Sequence, residues 1–189
     1  MFTIDQPRAA DGPAINHLLD LAFGPDRLAK TAYRLRDGVP CARGLSFVAR
    51  KNGRLAASLQ FWPVLIQPCE GRVPCEGRVP GEGGGNNAPL PVLLLGPLAV
   101  DPALRGHGMG IALMRHGLDV ATRQGHRAAI LVGDLDYYSR VGFAREPAAG
   151  LTLPGPVEPA RLLGVNLIPG ALDGVAGAVR PWPDHPFAA

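Results

Sequence analysis

An apolar run from Pro91 to Val100 leads into Asp101-Pro102-Ala103-Leu104-Arg105-Gly106-His107-Gly108-Met109-Gly110, and an amphipathic helix opens directly after it. Strand, glycine turn and helix in that order permit few folds. So continuous an apolar run belongs at the centre of a sheet covered on both faces. The helix must then cross the sheet, and Arg127 to Val132 is the apolar segment to which it returns, as a parallel neighbour. At the corner between strand and helix, unsatisfied N–H groups and the positive end of the helix dipole favour an anion. Arg105 adds a fixed charge there, and Gly106, Gly108 and Gly110 let a phosphate approach the main chain without a Cβ in the way. Glycines alone would fit an ordinary turn. The preceding strand, the arginine and the following helix together favour a pyrophosphate cradle.

Two well-known phosphate loops are excluded. A Walker loop ends in Gly-Lys-Ser/Thr, whereas Gly110 is followed by Ile111 and Ala112, which disfavours a metal-dependent nucleotide hydrolase. A dinucleotide fingerprint requires Gly-x-Gly-x-x-Gly early in the chain, and the glycines here alternate as Gly106-x-Gly108-x-Gly110. What fits is Arg-x-x-Gly-x-Gly, carried by Arg105, Gly108 and Gly110. This resembles the acyl-CoA pyrophosphate loop of the GNAT superfamily of N-acetyltransferases. Downstream, Gly133-Asp134-Leu135-Asp136-Tyr137-Tyr138-Ser139-Arg140-Val141-Gly142-Phe143 matches that superfamily's Tyr-x-x-x-Gly-Phe element at Tyr138, Gly142 and Phe143. The fuller form, with the stretch from Leu162 to Phe187, is similar to the YhbS-like subfamily. The resemblance is specific from about Leu93 to Phe143 and weak before residue 60.

The resemblance implies an α/β (α+β) chain with the GNAT acyl-CoA N-acyltransferase fold: a twisted mixed sheet, helices on both faces, and a V-shaped opening between the strands ending at Val100 and Val132. It implies that acetyl-CoA, as acyl donor, is held by Leu98, Ala99, Val100, Arg105, Gly106, His107, Gly108, Met109 and Gly110. The backbone of Leu98 to Val100 would pair with pantetheine amides like an added strand. For His107, a contact to phosphate or adenine stands beside an ordinary solvated loop histidine.

Transfer of an acetyl group to an amine sets two demands. An alkyl amine is less than about 0.1% neutral at pH 7, so its proton must be removed or its site desolvated. The departing thiolate needs a donor, and the phenol of Tyr138 is the candidate, as its counterpart in the family protonates that sulfur. Tyr137, one residue earlier on a helix, is not expected to face the same way, and packing or lining the acyl pocket is its expected place. No base is assigned: Val92 to Val100 holds no carboxylate, and Asp134 reads equally as a helix cap. An acetyl-CoA-dependent N-acetyltransferase acting on a small-molecule or protein amine is the first reading. A non-catalytic acyl-CoA-binding regulatory module is the second.

The rest of the chain sets limits. Its 189 residues, 47% hydrophobic, suffice for a single domain, 1–189, with a core of its own. A net charge of +3 with scattered arginines favours an anionic ligand and gives no footprint for nucleic acid. Cys41, Cys69 and Cys75 lack metal-ligand spacing, so no metal is expected, and a reduced, cytoplasmic setting is. No segment reads as a signal peptide or membrane span. Asp11 is placed to cap a helix from Gly12 to about Phe23, and a second short helix is expected over Asp26 to Arg36. Asn52-Gly53 predicts a hairpin between strands Leu45–Arg50 and Arg54–Ile66, with Pro63 ending or bulging the second strand. Residues 69–80 are Cys-Glu-Gly-Arg-Val-Pro twice over, read as a duplication inside an exposed loop spanning 69–88. Beyond residue 145, strands are expected near Leu162 to Ile168 and Gly174 to Val179. The tail from Trp182 to Phe187 either docks over the sheet or joins two copies as a homodimer.

Overall fold

A computed structural model describes residues 1–68 and 88–186. The repeat at 69–80 and Phe187 lie outside them. Among the described residues eight strands form one sheet, in the order β1 (Thr3–Asp5), β2 (Ser46–Lys51), β3 (Arg54–Pro68), β4 (Leu90–Val100), β5 (Ala128–Val132) and β7 (Leu162–Asn166). Strand β8 (Ala176–Pro181) pairs with β3 beyond the end of β2, and β6 (Gly150–Thr152) runs parallel to β8. The sheet is mixed, as expected: β4 and β5 are parallel, β3 and β4 antiparallel.

Local chemistry sets the ends of these elements. Asn52 (φ 51°) and Gly53 (φ 77°) supply the left-handed pair of a tight hairpin turn, so the β2–β3 hairpin forms where expected. Helix α3 (Met109–Arg123) begins after Gly108 and is followed by Gly125, at φ 85°. Its apolar face, including Leu113, Met114 and Leu118, packs on Phe47, Phe61, Leu93 and Leu95. Helix α1 (Gly12–Phe23) covers the other face, where Leu18 and Leu19 meet Ala99. The return strand β5 is apolar throughout and buried from Ala128 to Leu131.

Several expectations are corrected. Asp11 precedes α1 but its side chain caps nothing in that helix; it accepts the Arg8 N–H (2.6 Å) and pairs with Arg50 (2.5 Å). A buried carboxylate gains more from a guanidinium than from one amide. The second helix shrinks to a 3₁₀ turn, Pro25–Ala29, and α2 (Thr31–Arg34). Pro63 neither ends nor bulges β3. It lies where β2 has stopped and β8 has not begun, so its missing N–H costs no ladder bond on that edge. Ala144 makes one bridge to Gly164, and the short β6 was not foreseen. The tail docks: His185 is buried, with Nε2 3.0 Å from the Pro40 carbonyl.

One residue sets how closely α3 approaches the sheet. A Cβ on Gly117 would stand 2.5 and 2.9 Å from Phe61 ring carbons. Gly117→Ala gains about 1 kcal/mol of helix propensity but overpacks the core. A net destabilisation of about 1–3 kcal/mol is expected in urea unfolding. Unchanged or raised stability would contradict this packing.

Candidate active site

The site grows out of one irregularity in β4. Leu59 pairs with Leu98 and Phe61 with Leu95, so Gln60 of β3 stands opposite both Gly96 and Pro97. The extra residue is a bulge that bends β4. Before it, β4 pairs with β5 at Leu93–Ala129 and Leu94–Ile130; beyond it, no further pair forms among the described residues. The two parallel strands therefore part. Asp101 donates its N–H to the Ala56 carbonyl (2.8 Å), and the alternation of an antiparallel ladder turns the main-chain groups of Val100 and Leu98 toward the opening.

A cleft of about 350 Å³ fills this opening, walled by Leu98 and Val100, by Leu104 to Gly106 and Gly108 to Ile111, by Tyr137, Tyr138 and Arg140, and by Ala22 and Phe23 of α1. Gly106 (φ 82°) and Gly108 (φ 77°) adopt the left-handed backbone that favours glycine, and a Cβ on either would meet open space. Their absent side chains thus serve the turn and leave room above the α3 N-terminus. Gly110 differs. It is already helical, and a Cβ there would overlap the Tyr137 hydroxyl. Its smallness makes room for a phenol as well as keeping the corner open.

Most residues singled out in the sequence meet here: Leu98, Val100, Arg105, Gly106, Gly108, Met109, Gly110 and Tyr138 line one cleft. Two do not. Ala99 is buried on the opposite face against α1. His107 is exposed, with Nδ1 3.1 Å from the Leu104 and Arg105 carbonyl oxygens, and its ring is absent from the cleft wall. Tyr137 lines the cleft as expected, its hydroxyl at Gly110 while the Tyr138 ring lies against Gly133, and the two rings stand edge to face at 5.2 Å. They belong to α4 (Leu135–Tyr138), a single turn from which the two side chains leave in different directions into one cleft. Asp134 precedes α4 without a side-chain cap.

Arg140 and Phe23 were quoted in the sequence without a role. The three-residue spacing of Tyr137 and Arg140 on a helical turn was the available signal for the arginine. Arg105 and Arg140 give the cleft two cations, and among its described wall residues there is no carboxylate. An acyl-CoA, with its diphosphate and extended amide arm, suits this wall: cations and open amides at one end, an unpaired strand edge along its length.

Residues 13–143 match the model of the acetyltransferase (GNAT) family. The chain belongs to that family. As a GNAT chain it is 30% identical over 170 residues to the uncharacterized N-acetyltransferase YhbS of Escherichia coli K12, covering 90% of each. It is 28% identical over 149 residues to YjhQ of the same organism, covering 79% of this chain and 72% of the relative. The crystal structure of Escherichia coli YhbS in complex with CoA superposes with a TM-score of 0.70 at 29% identity, over 96% of this chain and 89% of that one. A GNAT acetyltransferase from Brucella melitensis in complex with acetyl-CoA gives 0.63 at 26% identity, over 96% of both. Family membership favours the enzyme over the non-catalytic module.

Tyr138 sits deepest among the polar groups of the cleft. Burial, reinforced by Tyr137, pushes its phenol up to about 12. A raised phenol is held neutral by the fold. Its share of stability is complete below the ordinary value of 10.0 and is lost as pH climbs toward about 12. In a spectrophotometric titration Tyr138→Phe should lose a component that ionises at about pH 12. Ionisation of all three tyrosines complete by about pH 11 would contradict this burial.

Proposed function

We propose that this chain transfers the acetyl group of acetyl-CoA directly to the nitrogen of a small-molecule or protein amine. The observation that carries the reading is the alignment along one cleft of a helix N-terminus with two arginines, a free strand edge, and a buried phenol. Arg105, Arg140 and the amides after Gly106 hold the diphosphate; Leu98 and Val100 offer main-chain groups to the pantetheine arm. His107 supplies at most its backbone, since its ring turns back onto the loop. Ala99 serves by pairing β4 to β3 opposite Ser58, which keeps the neighbouring groups free.

In the transfer, the amine nitrogen bonds to the thioester carbon and the carbon–sulfur bond breaks. The departing thiolate takes the proton of Tyr138, and the nitrogen loses its own proton to solvent. A phenol held neutral at every physiological pH is always loaded for that role. No carboxylate stands among the described wall residues, which supports an acceptor that arrives as the free amine, its ammonium proton lost to water. The cytoplasm is the proposed location, supported by the free thiol of Cys41 and by the lack of a membrane-crossing helix among the described residues.

Two measurements test this. Calorimetry should show coenzyme A binding that Gly108→Val weakens at least about tenfold, because the variant strains the turn and fills the cradle. Release of coenzyme A in the presence of amines should fall about 10²-fold in kcat for Tyr138→Phe, with little change in coenzyme A affinity. The wild-type kcat/KM should rise with pH toward the pKa of the amine, without a falling limb below about pH 10. Tyr138→Phe with full kcat would remove the phenol from the reaction.

A further inference from the structure

Three arginines are drawn into the protein among the described residues, and two have carboxylates: Arg27 with Asp20 (2.7 Å) and Arg50 with Asp11 (2.5 Å). Arg36 has none. Its Nε and Nη1 are buried without a hydrogen-bond partner, and so is the indole Nε1 of Trp62 beside it. The guanidinium lies 4.5 Å over the Tyr33 ring and 6.0 Å from the Trp62 ring. Aromatic faces offset part of the cost of burying a cation but cannot replace an oxygen partner. Burial pushes this guanidinium down to about 10, so it stays charged at neutral pH.

The position of this cluster matters. Arg36 Nη2 stands 3.4 Å from where a Cβ on Gly96 would be, against the bulge that parts β4 from β5. Leu98, two residues beyond Gly96, lines the cleft, so the cluster borders it from the side of the bulge. Arg36 keeps partial exposure, so a ligand approaches the guanidinium from outside, while its Nε and Nη1 and the Trp62 Nε1 are sealed and open to that ligand only as neighbouring side chains shift. Every unsatisfied group in it is a donor. A ligand that satisfied these donors would be an acceptor-only group, and one fixed cation is balanced by one negative charge, which favours a carboxylate over a dianionic phosphate.

We propose that Arg36, with the indole N–H of Trp62, recognises a carboxylate on the acceptor, so that the amine acetylated is one that carries a carboxylate, as a free amino acid does. This rests on the acetyltransferase reading and names the substrate class of the same site. Tyr33 holds the guanidinium plane by stacking, and the geometry presents the acceptor's amine to the cleft from the side of the bulge.

The test compares free amino acids, their carboxamides and phosphoethanolamine as acceptors, scored by coenzyme A release, with calorimetric affinity for coenzyme A measured on the same preparations. Wild type should prefer the acids to the carboxamides by about tenfold or more in kcat/KM. Arg36→Gln should remove about 30-fold on the acids, mostly through KM, and little on the carboxamides. Arg36→Lys should recover part of that loss. Should Arg36→Gln fold poorly, Trp62→Phe should still lower kcat/KM on the acids about threefold, without affecting the carboxamides. Equal use of acids and carboxamides, use of neither, a parallel loss on both in the variants, or a preference for phosphoethanolamine would each overturn the carboxylate site. Intact coenzyme A binding beside such a result overturns this site alone. No coenzyme A binding by wild type overturns the parent reading and this one with it.

Discussion

Everything in the cleft follows from two parallel strands that pair briefly and then separate. A parallel pair in the middle of a sheet would ordinarily continue, because each abandoned ladder bond leaves a polar group to be satisfied. Here one residue too many in β4, at Gly96 and Pro97, bends the strand away from β5. The main chain beyond the bulge is left with hydrogen-bonding groups aimed at a gap. A ligand with alternating amides is the natural complement of such an edge. Helix α3, which starts at Met109, aims its own unsatisfied amides at the same gap, so strand edge and helix end address one extended, anionic molecule.

Packing holds this opening in place. On one face α3 locks onto Phe61 through Gly117, which sets the height of its N-terminus above the sheet. On the other, α1 buries Ala99 under Leu18 and Leu19, so β4 stays paired with β3 as it leaves β5. The phenols come last. A one-turn helix after β5 carries both tyrosines into the cleft, with the Tyr137 hydroxyl at Gly110 and the Tyr138 ring against Gly133. Glycine is needed at both points because an aromatic ring stands where a side chain would begin.

How much of this could be read from the chain depends on how local each cause is. The Arg105–Gly110 corner, the Asn52-Gly53 turn and the start of α3 are written in neighbouring residues, and the structure has them where the sequence places them. The bulge is not local, since nothing in Gly96-Pro97 alone says that Gln60 will face both. Pro63 was misread for the same reason: whether a proline breaks a strand depends on which edge its nitrogen faces, and that is set by where β2 and β8 end. Tyr137 was placed in the cleft wall, because neighbouring residues on a helical turn must diverge and only the apolar side of the turn is sheltered. Arg36 carried no signal, because an arginine without a partner becomes visible only when every neighbour is placed.

The central claim is that the parted edge of β4 and the start of α3 bind one ligand together. Backbone amide NMR with coenzyme A added tests it most directly. The account predicts large shifts for the amides of Gly106 to Ile111, along with slowed hydrogen exchange at Leu98 and Val100. It also predicts no change in the amides of β1 or β6. Saturable binding that leaves both the loop and the β4 edge unshifted would contradict it.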